Sequence, residues 1–366
     1  MKTNFFKKLF SIPDYLSLSV AGIEICDRSI KYIEFFNKNG FYSVKNYGEI
    51  FIPSNTVKGG DILDKKALIS ALIEVKKKIS SDFVKVSISE DKTYIFDVQI
   101  PREAVHNLKE VLEFKIEENV PLKLEESSFE YEIVEDKKTF KNIVVNVSVI
   151  PKRIISDYSY VFDQAGIYPI AYEIESKMVA DSVIRTGDTK NSIIMDIKDN
   201  STLFIGVING FVRITSSLLV GENLIKENLF KTGLFENEEA VNKFFENDFS
   251  FETIYAKEAY SSLANIFSIL KDEVEKFDKY IVSKFPNTDT ASMKKIDSII
   301  LCGKCSSLLG LSKHINQNIK TEVVLANAWT NVTDINKSIP GIKFNDSLNF
   351  VATIGLVVSS NKQDNA

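Results

Sequence analysis

Two short stretches share an acid, an aspartate and a serine in the same order and spacing, Glu24, Asp27 and Ser29 matching Asp196, Asp199 and Ser201. The first holds Glu24, Cys26, Asp27, Ser29 and Lys31; the second, 172 positions on from Glu24 to Asp196, holds Asp196, Lys198, Asp199, Ser201 and Thr202. An acid followed by a tight polar turn and a hydroxyl is what a phosphate site needs. The carboxylate holds Mg²⁺, mostly through waters. The hydroxyl or an ammonium touches phosphate oxygen, and free backbone N–H groups in the turn point at the anion. A plainer reading is equally open on these residues, in which the acids cap turns or pair with lysines inside a cleft. A third stretch, Leu301-Cys302-Gly303-Lys304-Cys305-Ser306, follows a buried apolar run and precedes a helix, whose first N–H groups are free. Its Cys302-x-x-Cys305 spacing raises metal and redox chemistry. Zinc wants four Cys or His ligands, and only Cys26, His106 and His314 remain, with no paired spacing. A buried Cys302 and a turn Cys305 are the expectation. His106 and His314 read as surface residues, and no nucleophile elbow, Walker A or kinase signature is present.

The elements that position these residues are plain from the patterning. Val20 to Phe36 reads as strand, tight turn, strand, with Glu24 the one acid in its first apolar run. Residues 41–52 continue as a strand, and 192–196, 201–207 and 211–217 repeat the layout, with Asn209-Gly210 as the hairpin turn. Residues 64–79 form a helix with Leu68, Leu72, Val75 and Ile79 on one face, and 84–89 alternates as a strand. From Tyr94 the texture changes. A strand runs to Ile100, then a helix from Pro101 to Asn119 with Val105, Leu108, Leu112 and Ile116 on its face. Two strands, 129–134 and 142–150, are joined by Glu135-Asp136-Lys137-Lys138, and a helix spans Pro151 to Ala165. This is a compact β-α-β-β-α module, sized as an insertion. Strand 167–174 and helix 175–185 return to the first sheet. Later come a long helix faced by Leu263, Phe267, Leu270, Val274, Phe277 and Ile281, a strand at 296–301, a helix at 306–319, a short strand at 322–325 and an apolar helix at 349–359.

With 366 residues the chain is too long for one core, so two lobes are the default. A net charge of −5 with scattered Lys and Arg gives no basis for nucleic-acid binding. Three cysteines, an odd number, fit a reducing compartment. No apolar run is long enough to span a membrane. Residues 1–19 hold Lys2, Lys7 and Lys8 among Phe5, Phe6, Leu9 and Phe10, without the long apolar core of a signal peptide. Two readings stand for this arm: packing on its own domain, or contact with a membrane surface.

Four stretches then carry a resemblance. GIEICDRSIKYIEF is similar to the first strand pair of the PilM family, the actin-like proteins of type IV pilus assembly. IPREAVHNLKEVLEFKIEENVPLKLEESSFEYEIV resembles that family's proline turn, acidic helix, second proline and strand with a central acid–tyrosine. Gln164-Ala165-Gly166-Ile167-Tyr168-Pro169 through Glu175-Ser176, and EVVLANAWTNV followed by Asn349 to Val357, resemble two further family stretches. Together they cover about 20 to 358 in the family's order. The division protein FtsA and the cytoplasmic part of the secretion protein GspL are more distantly similar.

The resemblance implies an α/β, two-lobed actin-like (ribonuclease H-like) fold. The first lobe would comprise 20–91, 166–187 and 338–359. An inserted SHS2-type module would span 92–165 and a second lobe 188–337, with an N-terminal arm over 1–19 and a disordered tail over 360–366. It implies a cytoplasmic protein, peripheral to the inner membrane, that binds the N-terminal peptide of a PilN-like membrane protein, with other pilus platform and motor proteins as partners. It further implies ATP and Mg²⁺ in the interlobe cleft, on Glu24, Cys26, Ser29, Lys31, Asp196, Lys198, Ser201, Thr202, Gly303 and Lys304, with Asp196 toward the metal. This chain departs from that pattern where it matters. Cys26 and Lys198 stand at the two hairpin glycines, which let backbone approach phosphate closely, and Lys304 replaces the second glycine of the adenosine turn. Weak hydrolysis at most is therefore expected. The rivals are an active ATPase or kinase of the superfamily, which would keep those glycines, and an FtsA-like membrane anchor, which would end in an amphipathic helix rather than SSNKQDNA. The peptide groove is expected in the module, with the apolar residues of strand 94–100 and Phe114 as candidates.

Overall fold

The computed structural model describes residues 20–38, 41–136, 141–237, 239–241, 244, 254–285, 295–317, 319–332 and 340–359. The expected arm over 1–19, the expected tail over 360–366 and Lys137-Lys138 lie outside them.

The first lobe opens with β1 (Val20–Ile25), β2 (Ser29–Lys38) and β3 (Phe41–Phe51), an antiparallel meander. A two-residue ladder, β4 (Val57–Lys58) with β5 (Asp61–Ile62), leads into α1 (Lys65–Lys78). Asp64 caps α1 by accepting from the N–H groups of Lys66 and Ala67 at 3.0 Å each, and Lys76, Lys77 and Lys78 meet the negative end of its dipole. β6 (Phe83–Ile88) then joins the sheet parallel to β1.

The chain next leaves the sheet for β7 (Tyr94–Pro101), α2 (Leu108–Asn119), β8 (Ser127–Glu135) and β9 (Asn142–Pro151). These strands form their own antiparallel sheet in the order β7-β9-β8, and α2 covers one face with Leu108, Leu112 and Ile116. Two details differ from the sequence reading. Residues Arg102–Asn107 form a 3-10 turn rather than the first turns of α2, which turns Val105 outward. α3 (Lys152–Gln164) packs on the first lobe, where Ile154, Tyr158, Val161 and Phe162 join the core beneath β1 and β6. β10 (Tyr168–Ile174) completes the first sheet as β10-β6-β1-β2-β3, and α4 (Glu175–Val183) crosses to the second lobe.

The second lobe repeats the first: β11 (Ser192–Ile197), β12 (Thr202–Ile208) and β13 (Phe211–Leu218) form the meander. The β12–β13 turn has Asn209 at φ 56° and Gly210 at φ 82°, the two positive angles that an Asn-Gly hairpin supplies. α5 (Glu222–Lys231) and α6 (Ile254–Lys284) follow, with Leu263, Phe267, Leu270, Val274, Phe277 and Ile281 of α6 all buried, as the periodicity predicts. β14 (Ser298–Gly303) lies parallel to β11, α7 (Leu309–Asn316) follows, and β15 (Glu322–Leu325) closes the order β13-β12-β11-β14-β15. His314, expected at the surface, is held instead between the Tyr260 hydroxyl at 3.1 Å and the Ser268 hydroxyl at 3.0 Å.

α8 (Val351–Val358) is buried at every position and packs with α4 between the sheets. The approach needs glycine: a Cβ on Gly355 would lie 1.9 Å from the Met178 carbonyl oxygen, and one on Gly22 would lie 2.5 Å from that of Thr353. Both obstacles are backbone, so neither can rotate away. Gly355→Ala should therefore lower stability in urea unfolding by about 3 kcal/mol or more. Gly187→Ala, where a Cβ meets nothing and only a φ of 84° opposes it, should cost about 1 kcal/mol. Equal costs would show that the helices can separate without loss.

Candidate functional site

The two first hairpins face each other across the gap between the lobes. Each closes its turn the same way: Cys26 N–H donates to the Ser29 carbonyl and Lys198 N–H to the Ser201 carbonyl, both at 2.8 Å. The turns are also tied to their surroundings. Asp27 accepts from Gly59 N–H at 2.7 Å and from the Asn200 amide of the opposite hairpin at 3.3 Å. The Lys198 and Asp199 carbonyls accept from the Glu222 and Asn223 N–H groups, capping α5. Gly221 permits this, since a Cβ there would sit 2.6 Å from the Lys198 carbonyl oxygen.

Behind the turns lie three buried carboxylates, Glu24 of β1, Glu175 at the start of α4 and Asp196 of β11. Two lysines meet them. Lys31 Nζ stands 3.8 Å from Glu24 Oε1, and Lys198 Nζ stands 2.6 Å from Glu175 Oε2. Burial pushes the Glu24 carboxyl up to about 7, with Lys31 opposing and Glu175 and Asp196 adding to the rise. Asp196 is raised for the same first reason, burial. For Lys198, burial works against the charge, but Glu175 and Asp196 outweigh it and hold the ammonium above the usual lysine range. Glu24 Oε2 has no hydrogen-bond partner, whereas Oε1 receives the Cys26 thiol at 3.5 Å.

Of the residues singled out from sequence, Glu24, Cys26, Lys31, Lys198, Ser201 and Lys304 line one inner cavity of about 60 Å³. The others are engaged elsewhere. Ser29 donates to Glu49 at 2.7 Å and Thr202 to the Val220 carbonyl at 2.7 Å. Asp196 lies buried against the Cys302 thiol. Gly303, at φ 90°, lets β14 pass the Ile197 carbonyl, which a Cβ would meet at 2.0 Å. Cys302 and Cys305 are both buried free thiols, raised by burial. Sequence reasoning missed Glu175 and Glu49, the carboxylates that bind Lys198 and Lys304. Glu175 stood inside a resembling stretch, but nothing local names its partner.

The countercharge beside the buried carboxylates is lysine: Lys198 stands against Glu175 and Lys31 against Glu24, and among the described residues no group of three or more His, Cys, Asp or Glu is arranged to hold an ion by protein ligands alone. A cavity of about 60 Å³ takes a few waters, not a metal-bound polyphosphate. The mouth of the cleft is roomier. A pocket of about 610 Å³ is bordered by Tyr47, Phe51 and Phe344, with Arg28, Lys226 and Lys304 around it. That is the size of an ordinary small-ligand pocket.

A second recess of about 770 Å³ lies between the module and the lobes, where Glu130, Tyr131 and Glu132 of β8 face Glu173 of β10 and Lys177 of α4. β8 and β10 are both edge strands of their sheets. Of the candidate strand 94–100, the β7 edge packs against β13 of the second lobe, and Val98 and Ile100 are core. Arg213, 2% exposed, seals that junction with Asp97 at 2.5 Å and Glu135 at 3.1 Å. Phe114 is exposed on the far side of α2 from the core.

Residues 22–361 match the sequence model of a family described as type IV pilus assembly protein PilM. Among curated proteins none matches. Among solved structures the chain is similar to one titled a PilM-PilN type IV pilus biogenesis complex, with TM-score 0.71 and 14% identity over 93% of this chain and 98% of that one. It is also similar to MreB5 of Spiroplasma citri bound to ADP, with TM-score 0.53 and 13% identity over 96% of this chain and 99% of that one. The ethanolamine utilization protein EutJ from Carboxydothermus hydrogenoformans gives TM-score 0.51 and 14% identity over 92% and 88%. At such identities the likeness establishes the fold, which is actin-like.

Glu24 makes stability depend on pH. Its proton is held to about pH 7 in the folded chain against the usual 4.5, so this contribution is full below 4.5 and is lost as pH rises through 7. Its size is roughly 3 kcal/mol at most. Glu24→Gln should flatten the fall in urea-unfolding stability between about pH 5 and 8. An unchanged slope would assign the dependence to other groups.

Proposed function

The chain belongs to the type IV pilus assembly protein PilM family, and we propose that it serves pilus assembly as a scaffold rather than as an enzyme. In this reading it sits at the cytoplasmic face of the inner membrane and binds the extended N-terminal peptide of a PilN-like membrane protein. Other pilus platform and motor proteins complete its set of partners. The recess between β8 and β10 carries the reading. Two strand edges border it, so an incoming extended segment finds backbone donors and acceptors on β8. The two sheets and α4 around it are rigid elements.

The chemistry of the lining favours a basic segment. Glu130, Glu132, Glu173, Asp181 and Asp188 outnumber Lys177 and Arg185. Burial raises Glu173, and the neighbouring Glu130 adds to it, so a cation arriving there gains a carboxylate that desolvation has left costly to ionise. Lys177 already spans the recess to Glu132 at 2.6 Å and marks a place that a peptide lysine or arginine can take.

A nucleotide is the second ligand in this proposal. It is held by its base and ribose in the outer pocket beside Tyr47, Phe51 and Phe344, as a protein of the same fold, MreB5, was crystallised with ADP. Hydrolysis is not supported by the inner cleft, where about 60 Å³ is small for a metal-bound phosphate and Lys31 and Lys198 already stand against Glu24 and Glu175.

Calorimetry with a synthetic peptide of the neighbouring pilus membrane protein's cytoplasmic N-terminus should give micromolar binding. Glu132→Lys should weaken it at least about tenfold with unchanged melting, since it reverses a charge on the wall of the recess, and Phe114→Ala should leave it unaltered. No heat with the natural chain removes the scaffold reading; full affinity in Glu132→Lys moves the site off β8. ATP turnover by the purified chain at ordinary ATPase rates, ~1 s⁻¹ or faster, would restore the enzyme reading.

A further inference from the structure

The inner cleft already contains its own cations. Glu24, Glu175 and Asp196 are 5%, 4% and 6% exposed and come from three different elements. Carboxylates crowded this way out of water cannot all stay ionised without countercharge. In a metal-dependent site a divalent ion and its waters supply it. Here Lys198 reaches 2.6 Å from Glu175, and Lys31 lies beside Glu24 at 3.8 Å. Lys198 leaves the β11–β12 turn at the very place where a phosphate would need bare backbone.

The same side chains also join the lobes. Lys198 of the second lobe holds Glu175, which heads the helix leading out of the first sheet. Lys304 after β14 reaches both oxygens of Glu49 on β3, at 3.2 and 3.1 Å. Asn200 donates to Asp27, Arg28 to Asn223 at 3.5 Å, and Thr215 to Glu90 at 2.8 Å. Every one of these contacts bridges the cleft using only groups of this chain.

We propose that the cleft is a self-neutralised clasp, in which Lys198, seconded by Lys31, is the resident cation where a metal–nucleotide complex would otherwise stand, so that the two lobes close without a divalent ion. The inference is independent of peptide binding and stands or falls apart from it. It also leaves room for a nucleotide in the outer pocket, which would bind without metal.

The test is thermal unfolding of the full chain in EDTA, in millimolar Mg²⁺, and in ATP with either. The natural chain should melt within about 1 °C in EDTA and Mg²⁺, and any shift caused by ATP should be the same in both. Lys198→Ala in EDTA should melt roughly 5–10 °C lower, since it strands buried carboxylates, and Mg²⁺ should restore part of the loss. A natural chain stabilised by Mg²⁺, or by ATP only when Mg²⁺ is present, overturns the proposal. So does a Lys198→Ala chain that melts normally, or one whose loss Mg²⁺ leaves untouched, which would make the lysine's role one of packing. If Lys198→Ala yields no folded protein, Lys198→Arg, which keeps the charge, must fold and remain indifferent to Mg²⁺; its failure also overturns the proposal.

Discussion

The contact between Lys198 and Glu175 is the constraint on which most of the molecule's geometry depends. It joins the first turn of the second lobe to the first residue of α4, and α4 is one of the two helices through which the lobes share a core. An ion pair at this depth is not a large source of net stability, because taking both charges out of water cancels most of their attraction. What it does is fix position. An apolar contact would allow α4 to slide or turn about its axis, whereas a 2.6 Å pair on the buried Glu175 carboxylate directs it to one arrangement. The tight crossing of α4 and α8 at Gly355 works with it, since that contact is also close only in one register.

α4 has two ends of interest. Glu175 faces the cleft, and Lys177, Met178, Ala180 and Asp181 border the recess beside β8. A helix of nine residues transmits displacement as a rigid body. Whatever sets Glu175 therefore sets the wall of the recess within the next turn. A cleft closed by its own lysines gives that wall a single position, suited to a scaffold that must present a ready-made surface.

Much of the frame was legible in the residues. The hairpins announce themselves because their buried acids interrupt strict strand patterns, and α6 because its apolar positions keep a 3.6-residue period over its length. What escaped was decided by distance in the chain. Nothing near Lys304 names Glu49, 255 positions away, and nothing near Lys198 names Glu175. Which of the module's edge strands stays open was likewise not legible in the residues. Val98 and Ile100 of β7 are core and its edge is taken by β13, a strand that only the tertiary fold brings there. The 3-10 turn at Arg102–Asn107 was hidden by good helix composition, with proline leading and an acid following. His314 at the end of α7 was read as surface because its partners, Tyr260 and Ser268, come from a helix far back in the sequence.

The two copies of the hairpin have met the same electrostatic problem in different ways. Opposite Glu24 on the neighbouring strand is Lys31, so the first copy carries its own counter-ion across the ladder. Opposite Asp196 is Leu203, so the second copy has none at that place. Its charge comes from the turn, and Lys198 is drawn past Asp196 to Glu175 on the other lobe. Asp196 has the Cys302 thiol beside it and a raised affinity for a proton, burial being the first cause. The asymmetry is what turns a repeated hairpin into a link between lobes. Had the second copy kept a cross-strand lysine like the first, each acid would be satisfied at home and no charge would be available to reach across. The duplicated frame thus explains why the cleft exists, and the unduplicated lysine explains why it is shut.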